Sequence, residues 1–216
     1  MRKRARRASI LAAATAVAVT GTFMAAPSAS AGTSEIANPG FESGNASWNE
    51  KVTPFAGHPI NNASAWPAHS GTGKAELGGQ GLTGMSRISQ QVTVPAYRVP
   101  VLSFWVRSDV VHASSASSFG FRQLIVEATA EDGTPYELHD RMNKAGTDGS
   151  YEKVTVTLPG AFYSSSPQKV NLSFTVIEDA ANRMPFLIDD VSMEYRFKAI
   201  DRPVVIPGGI FRPIGG

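Results

Sequence analysis

Along most of this chain apolar and polar residues alternate with a period of two. Ile88, Gln90, Val92 and Val94 share one side of a predicted strand, with Arg87, Ser89, Gln91 and Thr93 on the other. Leu102, Phe104 and Val106 alternate with Val101, Ser103, Trp105 and Arg107. Residues 121–128 follow the same rule, with Leu124 and Val126 opposite Gln123, Ile125 and Glu127. Val154 and Val156 mark a further strand. Val170, Leu172, Phe174 and Val176 alternate most cleanly, against Lys169, Asn171, Ser173 and Thr175. Phe186, Leu187 and Ile188 lead into a last strand over residues 191–195. No segment sustains a helical apolar period.

Turn chemistry punctuates these runs. Glu131-Asp132-Gly133 and Thr147-Asp148-Gly149 each separate two strands, and Pro95 and Pro100 bracket a short connection. Residues 108–120 and 164–167 are Ser-rich loops. About eight strands at this spacing predict an all-β fold, an antiparallel β-sandwich of jelly-roll type. The chain shows no internal repeat.

Two segments break the pattern. Residues 1–31 open with Arg2, Lys3, Arg4, Arg6 and Arg7, continue through an Ala/Val-rich run over 10–26, and end in Ala29-Ser30-Ala31. That is the n-region, h-region and cleavage site of a secretory signal peptide of bacterial type. A membrane span needs about 20 strongly apolar residues, and this Ala/Thr-containing run does not supply them. Arg6-Arg7 leaves the twin-arginine route open beside the general one. The expected product is a secreted, extracellular protein beginning near Gly32. At the other end, residues 199–216 hold Pro203, Pro207, Gly208, Gly209 and Pro213 among Val204, Val205, Ile206, Ile210, Phe211 and Ile214. This Pro/Gly-rich apolar tail excludes regular structure; it either frays or packs on the domain or a partner. The predicted organisation is a leader over 1–31, a binding module over 32–198 and the tail.

The leader changes the charge. The chain has 20 Lys+Arg and 18 Asp+Glu. Five of the bases lie in the leader and none of the acids, so 15 bases face 18 acids afterwards, a net charge of −3. That removes the basic patch a nucleic-acid partner would need. The absence of cysteine removes thiol nucleophiles and thiolate metal sites.

Five pieces of sequence stand in a telling order. They are Asn38-Pro39-Gly40-Phe41-Glu42-Ser43-Gly44 with Trp48 behind it, residues 70–79 beginning Ser70-Gly71-Thr72-Gly73, residues 88–96, Leu102-Ser103-Phe104-Trp105-Val106, and Phe186-Leu187-Ile188-Asp189-Asp190-Val191. Together they resemble the galactose-binding-like jelly roll of secreted bacterial proteins, in particular carbohydrate-binding modules and the accessory domains of exported proteases. The resemblance runs from about residue 38 to about residue 195 and speaks to fold more than to ligand. It implies that the first and last strands are neighbours, and that Glu42 and the Asp189-Asp190 pair share a structural Ca2+ with backbone carbonyls. The chemistry agrees, since Ca2+ wants six to eight oxygens. Strand alternation would send Asp189 and Asp190 to opposite sides, which favours Asp189 as the ligand.

Trp66 and Trp105 are the candidate sugar platforms. Trp66 sits in a loop with no strand pattern to bury it. Trp105 lies out of phase with the core residues of its strand. Trp48 reads as core. Catalytic patterns are missing: the four histidines lack the His-Glu-x-x-His spacing, no Gly-x-Ser-x-Gly elbow occurs, and nothing in the spacing of Glu127, Glu137 and Asp140 makes them a glycosidase pair. The expected function is non-catalytic binding of a polysaccharide or glycan. The alternatives are a protein-interaction module serving an exported enzyme and, last, a hydrolase or lyase.

Overall fold

The computed structural model describes residues 36–54, 56–108, 121–142, 149–180 and 183–198. The expectations for the 1–31 leader, for residues 109–120 and for the 199–216 tail fall outside these residues. No helix among the described residues is long and apolar enough to cross a membrane.

Ten strands form among the described residues: β1 (Asn49–Thr53), β2 (Ile60–Asn61), β3 (Lys74–Leu77), β4 (Gly84–Val94), β5 (Arg98–Ser108), β6 (Arg122–Thr129), β7 (Pro135–Met142), β8 (Glu152–Thr157), β9 (Gln168–Glu178) and β10 (Phe186–Phe197). They make two five-stranded antiparallel sheets, ordered β1-β4-β9-β6-β7 and β2-β3-β10-β5-β8. The sheets face each other as a jelly-roll sandwich. A 3-10 turn at Gly160–Phe162 places Phe162 in the core.

The period-two pattern explains which side of each strand is buried. Leu102, Phe104 and Val106 of β5 and Leu172, Phe174 and Val176 of β9 are fully buried between the sheets. Rings link the two layers. Phe41 packs on Trp48, Trp48 on Phe174 and Phe174 on Phe104, with centroids 5.2, 6.3 and 5.1 Å apart. Trp48 is core, as its position in the sequence suggested, and its indole N–H donates to the Asn38 carbonyl at 3.1 Å. Tilted and edge-to-face pairs of this kind add to the area they bury.

The long alternating runs became β4, β5, β6, β9 and β10. The short strands β1, β2 and β3 did not stand out, because two to five residues hold too few alternations to register. The eight-residue β7, at a sheet edge, was marked in the sequence only by the turns on either side of it. The last strand is continuous from Phe186 to Phe197, with a bulge between Asp189 and Ser192. The bulge corrects the expectation that Asp189 and Asp190 point to opposite sides. Asp190 takes φ 47°, a value that breaks the pleat, and both carboxylates reach the same loop.

Candidate functional site

All five residues singled out for chemistry meet one segment, the loop over residues 62–73 between β2 and β3. The loop crosses the outward side of the second sheet and is tied down along its whole length. At its start, the buried ammonium of Lys74 donates to the Ala63 carbonyl at 2.7 Å and pairs with Glu76 at 3.0 Å. In its middle, the Tyr151 hydroxyl donates to the Pro67 carbonyl at 3.0 Å. Burial, with the nearby Asp189 charge, pushes that phenol far above its ordinary range.

The acidic residues hold the other end. Asp189 has no exposed surface. Its Oδ2 accepts the backbone N–H groups of His69 at 2.8 Å and Ser70 at 3.1 Å, and its Oδ1 accepts the N–H of Asp190 at 2.7 Å. Asp190 accepts from the His69 ring at 2.6 Å and the Ser70 hydroxyl at 2.7 Å. Glu42 Oε1 accepts the N–H groups of Thr72 and Gly73, both at 2.9 Å. Those bonds hold the Glu42 carboxyl below its usual range.

Two glycines make this approach possible. Gly71 has φ 57°, and a Cβ there would stand 2.2 Å from Glu42 Oε1. A Cβ at Gly73 would stand 2.5 Å from the Phe41 carbonyl. The Asn38–Gly44 turn meets them from the other side. The Asn38 amide bonds the Gly44 carbonyl at 2.8 Å and the Ser43 N–H at 3.1 Å, which drives Phe41 into the core and leaves Glu42 outside. Pro39 accepts the Val191 N–H at the bulge, at 3.0 Å. The first turn and the last strand are therefore neighbours.

This geometry delivers the aromatic residues. Trp105 stands outward on β5, between Lys153 of β8 and Asp189 of β10. The His69 ring stacks on it at 3.9 Å and 17°, with Tyr151 edge-on to His69 at 5.3 Å. One face of Trp105 is thus already covered. Trp66 is half-buried, with the Arg107 guanidinium 5.9 Å from its ring centre. His69, Tyr151 and Arg107 belong to this site and were not singled out in the sequence. Arg107 lies two residues from Trp105 on the same side of β5, the one signal that could have found it.

The three carboxylates were tested as a calcium site. Among the described residues no three acidic or histidine side chains converge as metal ligands. Free lone pairs do remain, because each carboxylate oxygen has two. Glu42 Oε2 meets the Thr72 hydroxyl at 3.2 Å, and Asp189 Oδ1 meets one N–H group. The donor set fits Ca2+ only if backbone carbonyls complete most of its shell, which calcium accepts.

Asp189 also sets a pH dependence. Burial, opposed in part by the Ser70 N–H and aided by the Asp190 charge, raises its carboxyl from 3.8 to about 6. The folded state then holds a proton that the unfolded chain has released, so this group favours the fold increasingly as pH falls through 6. Asp190, His69 and Tyr151 face it, and Glu42 lies across the loop. In chelator, the melting temperature of the wild type should rise relative to Asp189→Asn between pH 7 and pH 5, read by calorimetry. A constant difference would refute it.

The outward side of the first sheet carries a second set of polar groups. Lys51, Arg87, Thr175, Ile125 and Asp140 form one row across the five strands, and Asn49, Ser89, Ser173, Glu127 and Glu137 the next. Ser173 and Thr175 are 0% and 7% exposed, and among the described residues their hydroxyls have no hydrogen-bond partner. Glu127 and Glu137 do stand opposite each other, at the edge of this row.

Neither a family model nor a curated protein matches the chain. Solved structures do match. TmCBM61, a carbohydrate-binding module solved with β-1,4-galactotriose, superposes with a TM-score of 0.52 at 16% identity, over 74% of this chain and 97% of that one. The fold is the jelly roll of carbohydrate-binding modules. A family 16 carbohydrate-binding module has 23% identity and a TM-score of 0.42 over 74% of this chain and 98% of its own. The CBM22-1 xylan-binding domain of Paenibacillus barcinonensis Xyn10C has 16% identity and a TM-score of 0.41, over 70% and 87%. At these identities the likeness speaks to the fold of the module alone.

Proposed function

We propose that this module is a secreted, non-catalytic binder of polysaccharide. One observation carries the reading: Trp66 is held beside Arg107, two residues from Trp105 on β5, by a loop fixed at its start, middle and end. Such a platform is ordered before ligand arrives, which reduces the entropy lost on binding. Indole stacks on the apolar side of a pyranose ring, while Arg107 and Lys153 reach hydroxyls. The hydroxyl- and carboxylate-bearing side of the first sheet offers a further surface for the same ligand class. Titration of the full chain against neutral galactan, xylan and glucan, followed by calorimetry, tests the reading. Saturable heat with at least one is expected, and no binding across the panel would remove it.

A structural calcium forms the second part of the proposal. Glu42 and Asp189, or Asp190 in its place, would hold it with backbone carbonyls, clipping the first turn to the last strand. Calcium should then raise the melting temperature, because it binds the fold alone, and Glu42→Ala should erase most of that rise. A wild-type transition unmoved between EDTA and calcium would refute this part.

The protein-partner alternative has one observation in its favour. Thr53, Pro54, Met85 and Ile177 line an open apolar groove of about 450 Å³ at one end of the first sheet. Retention of an exported enzyme from the same source, with no glycan bound, would favour it.

A further inference from the structure

At the end of the sandwich where β10 finishes, three segments bring aromatic rings and cations together. They are the β4–β5 turn, the chain after the 3-10 turn, and the last residues of β10. Phe197 pairs with Arg98 across the β10–β5 ladder, and the Arg98 guanidinium lies 3.4 Å from the centre of its ring. The Lys198 ammonium stands 5.0 Å from the centre of the Tyr163 ring. The Tyr97 N–H donates to the Ser164 carbonyl at 2.7 Å, which locks the first two segments side by side.

Three features set this end apart. Phe197 and Tyr97 are 78% and 58% exposed, so their rings face solvent at one corner. Tyr97 takes φ 57°, where a bulky residue is an outlier and strain clusters at ligand sites. The cations, finally, rest on rings: among the described residues neither Arg98 nor Lys198 has a carboxylate partner. A cation over a ring is attracted to its negative face while keeping its outward side for an anion. Arg196, next to Phe197 in the chain, is paired with Glu194 at 3.4 Å, which leaves Arg98 and Lys198 as the cations in excess. Beyond the leader the chain carries more acids than bases, so this local excess of positive charge is not a general property of the surface.

We infer that this corner is a second binding site, for a carboxylated polysaccharide such as a polyuronate. The exposed rings meet the apolar side of the sugar. Arg98 and Lys198 meet its carboxylates, one forked and one as a point charge. The site is separate from the Trp66 platform: Arg98 and Trp105 are seven residues apart on β5, about 23 Å at strand rise. It would let one module contact neutral and acidic regions of the same polysaccharide.

The test is calorimetric titration of the full chain with polygalacturonate, with neutral galactan and a single-stranded oligonucleotide as controls. Wild type should bind polygalacturonate more weakly as salt rises. The Arg98→Gln/Lys198→Gln double variant should lose at least about tenfold, since two charge-assisted contacts go. Tyr97→Asn tolerates the positive φ; it should keep the melting temperature and still weaken binding. The double variant should keep the wild-type melting temperature and respond to neutral galactan as wild type does, so failure of the neutral-glycan reading would not mimic failure here. No wild-type binding, equal affinity of the double variant, or equal binding of the oligonucleotide would each overturn the inference.

Discussion

Trp66→Ala is expected to cut affinity for the neutral polysaccharide at least tenfold while lowering the melting temperature by no more than about 4 °C. The two effects separate because Trp66 is carried by the loop and does not hold it. The anchors are Lys74 on Ala63, Tyr151 on Pro67, Asp189 on His69 and Ser70, and Glu42 on Thr72 and Gly73. None involves the indole. Half-burial limits the apolar area lost, about 1 kcal/mol at 25 cal/mol per Å², or 2–4 °C per kcal/mol as an upper range for a domain of about this size. A lost stacking platform costs the complex about 1.4 kcal/mol for each tenfold in affinity. Trp105→Ala should behave differently, because its ring lies under His69 and beside Asp189. It should lower both stability and binding. If Trp66→Ala bound as tightly as wild type, the platform would lie elsewhere, and the first-sheet rows around Ser173 and Glu127 would be the next surface to vary.

Asp189→Ala should be the most damaging single change at the site, with a melting temperature lower by roughly 6–12 °C in chelator. Three N–H groups, of His69, Ser70 and Asp190, lose a fully buried acceptor, although the donors themselves are only partly buried. Each unsatisfied buried donor costs about 1–3 kcal/mol. Part of that is offset, because removing a carboxylate strained by burial also removes its desolvation penalty. A net loss of about 3 kcal/mol gives the stated shift at 2–4 °C per kcal/mol. Neutral-glycan affinity should fall as well, although Asp189 touches no ligand in the proposal, because His69 and the end of the loop are released. A variant as stable as wild type would mean that the loop is held by its other anchors alone.

The pattern of alternation determined the fold class, because a period of two can bury only one side of an extended strand. It also placed Phe104, Phe174 and Val176 in the core and Trp105 outside it. The resemblance carried by the Asn38–Gly44 and Phe186–Val191 pieces implied that the ends of the fold meet, and the Val191 to Pro39 bond shows where. The resemblance brought Glu42, Asp189 and Asp190 forward as chemistry, and Trp66 and Trp105 came forward because their places in the pattern leave them outside the core. Their common attachment to residues 62–73 was not legible. It depends on a bulge at Asp189–Ser192 and on positive φ at Asp190, and a strand pattern carries no term for either. The roles of His69, Tyr151 and the paired cations at Arg98 and Lys198 were hidden for a related reason. They arise where segments far apart in the chain are brought within hydrogen-bond or ring-stacking distance, which only packing of the two sheets decides.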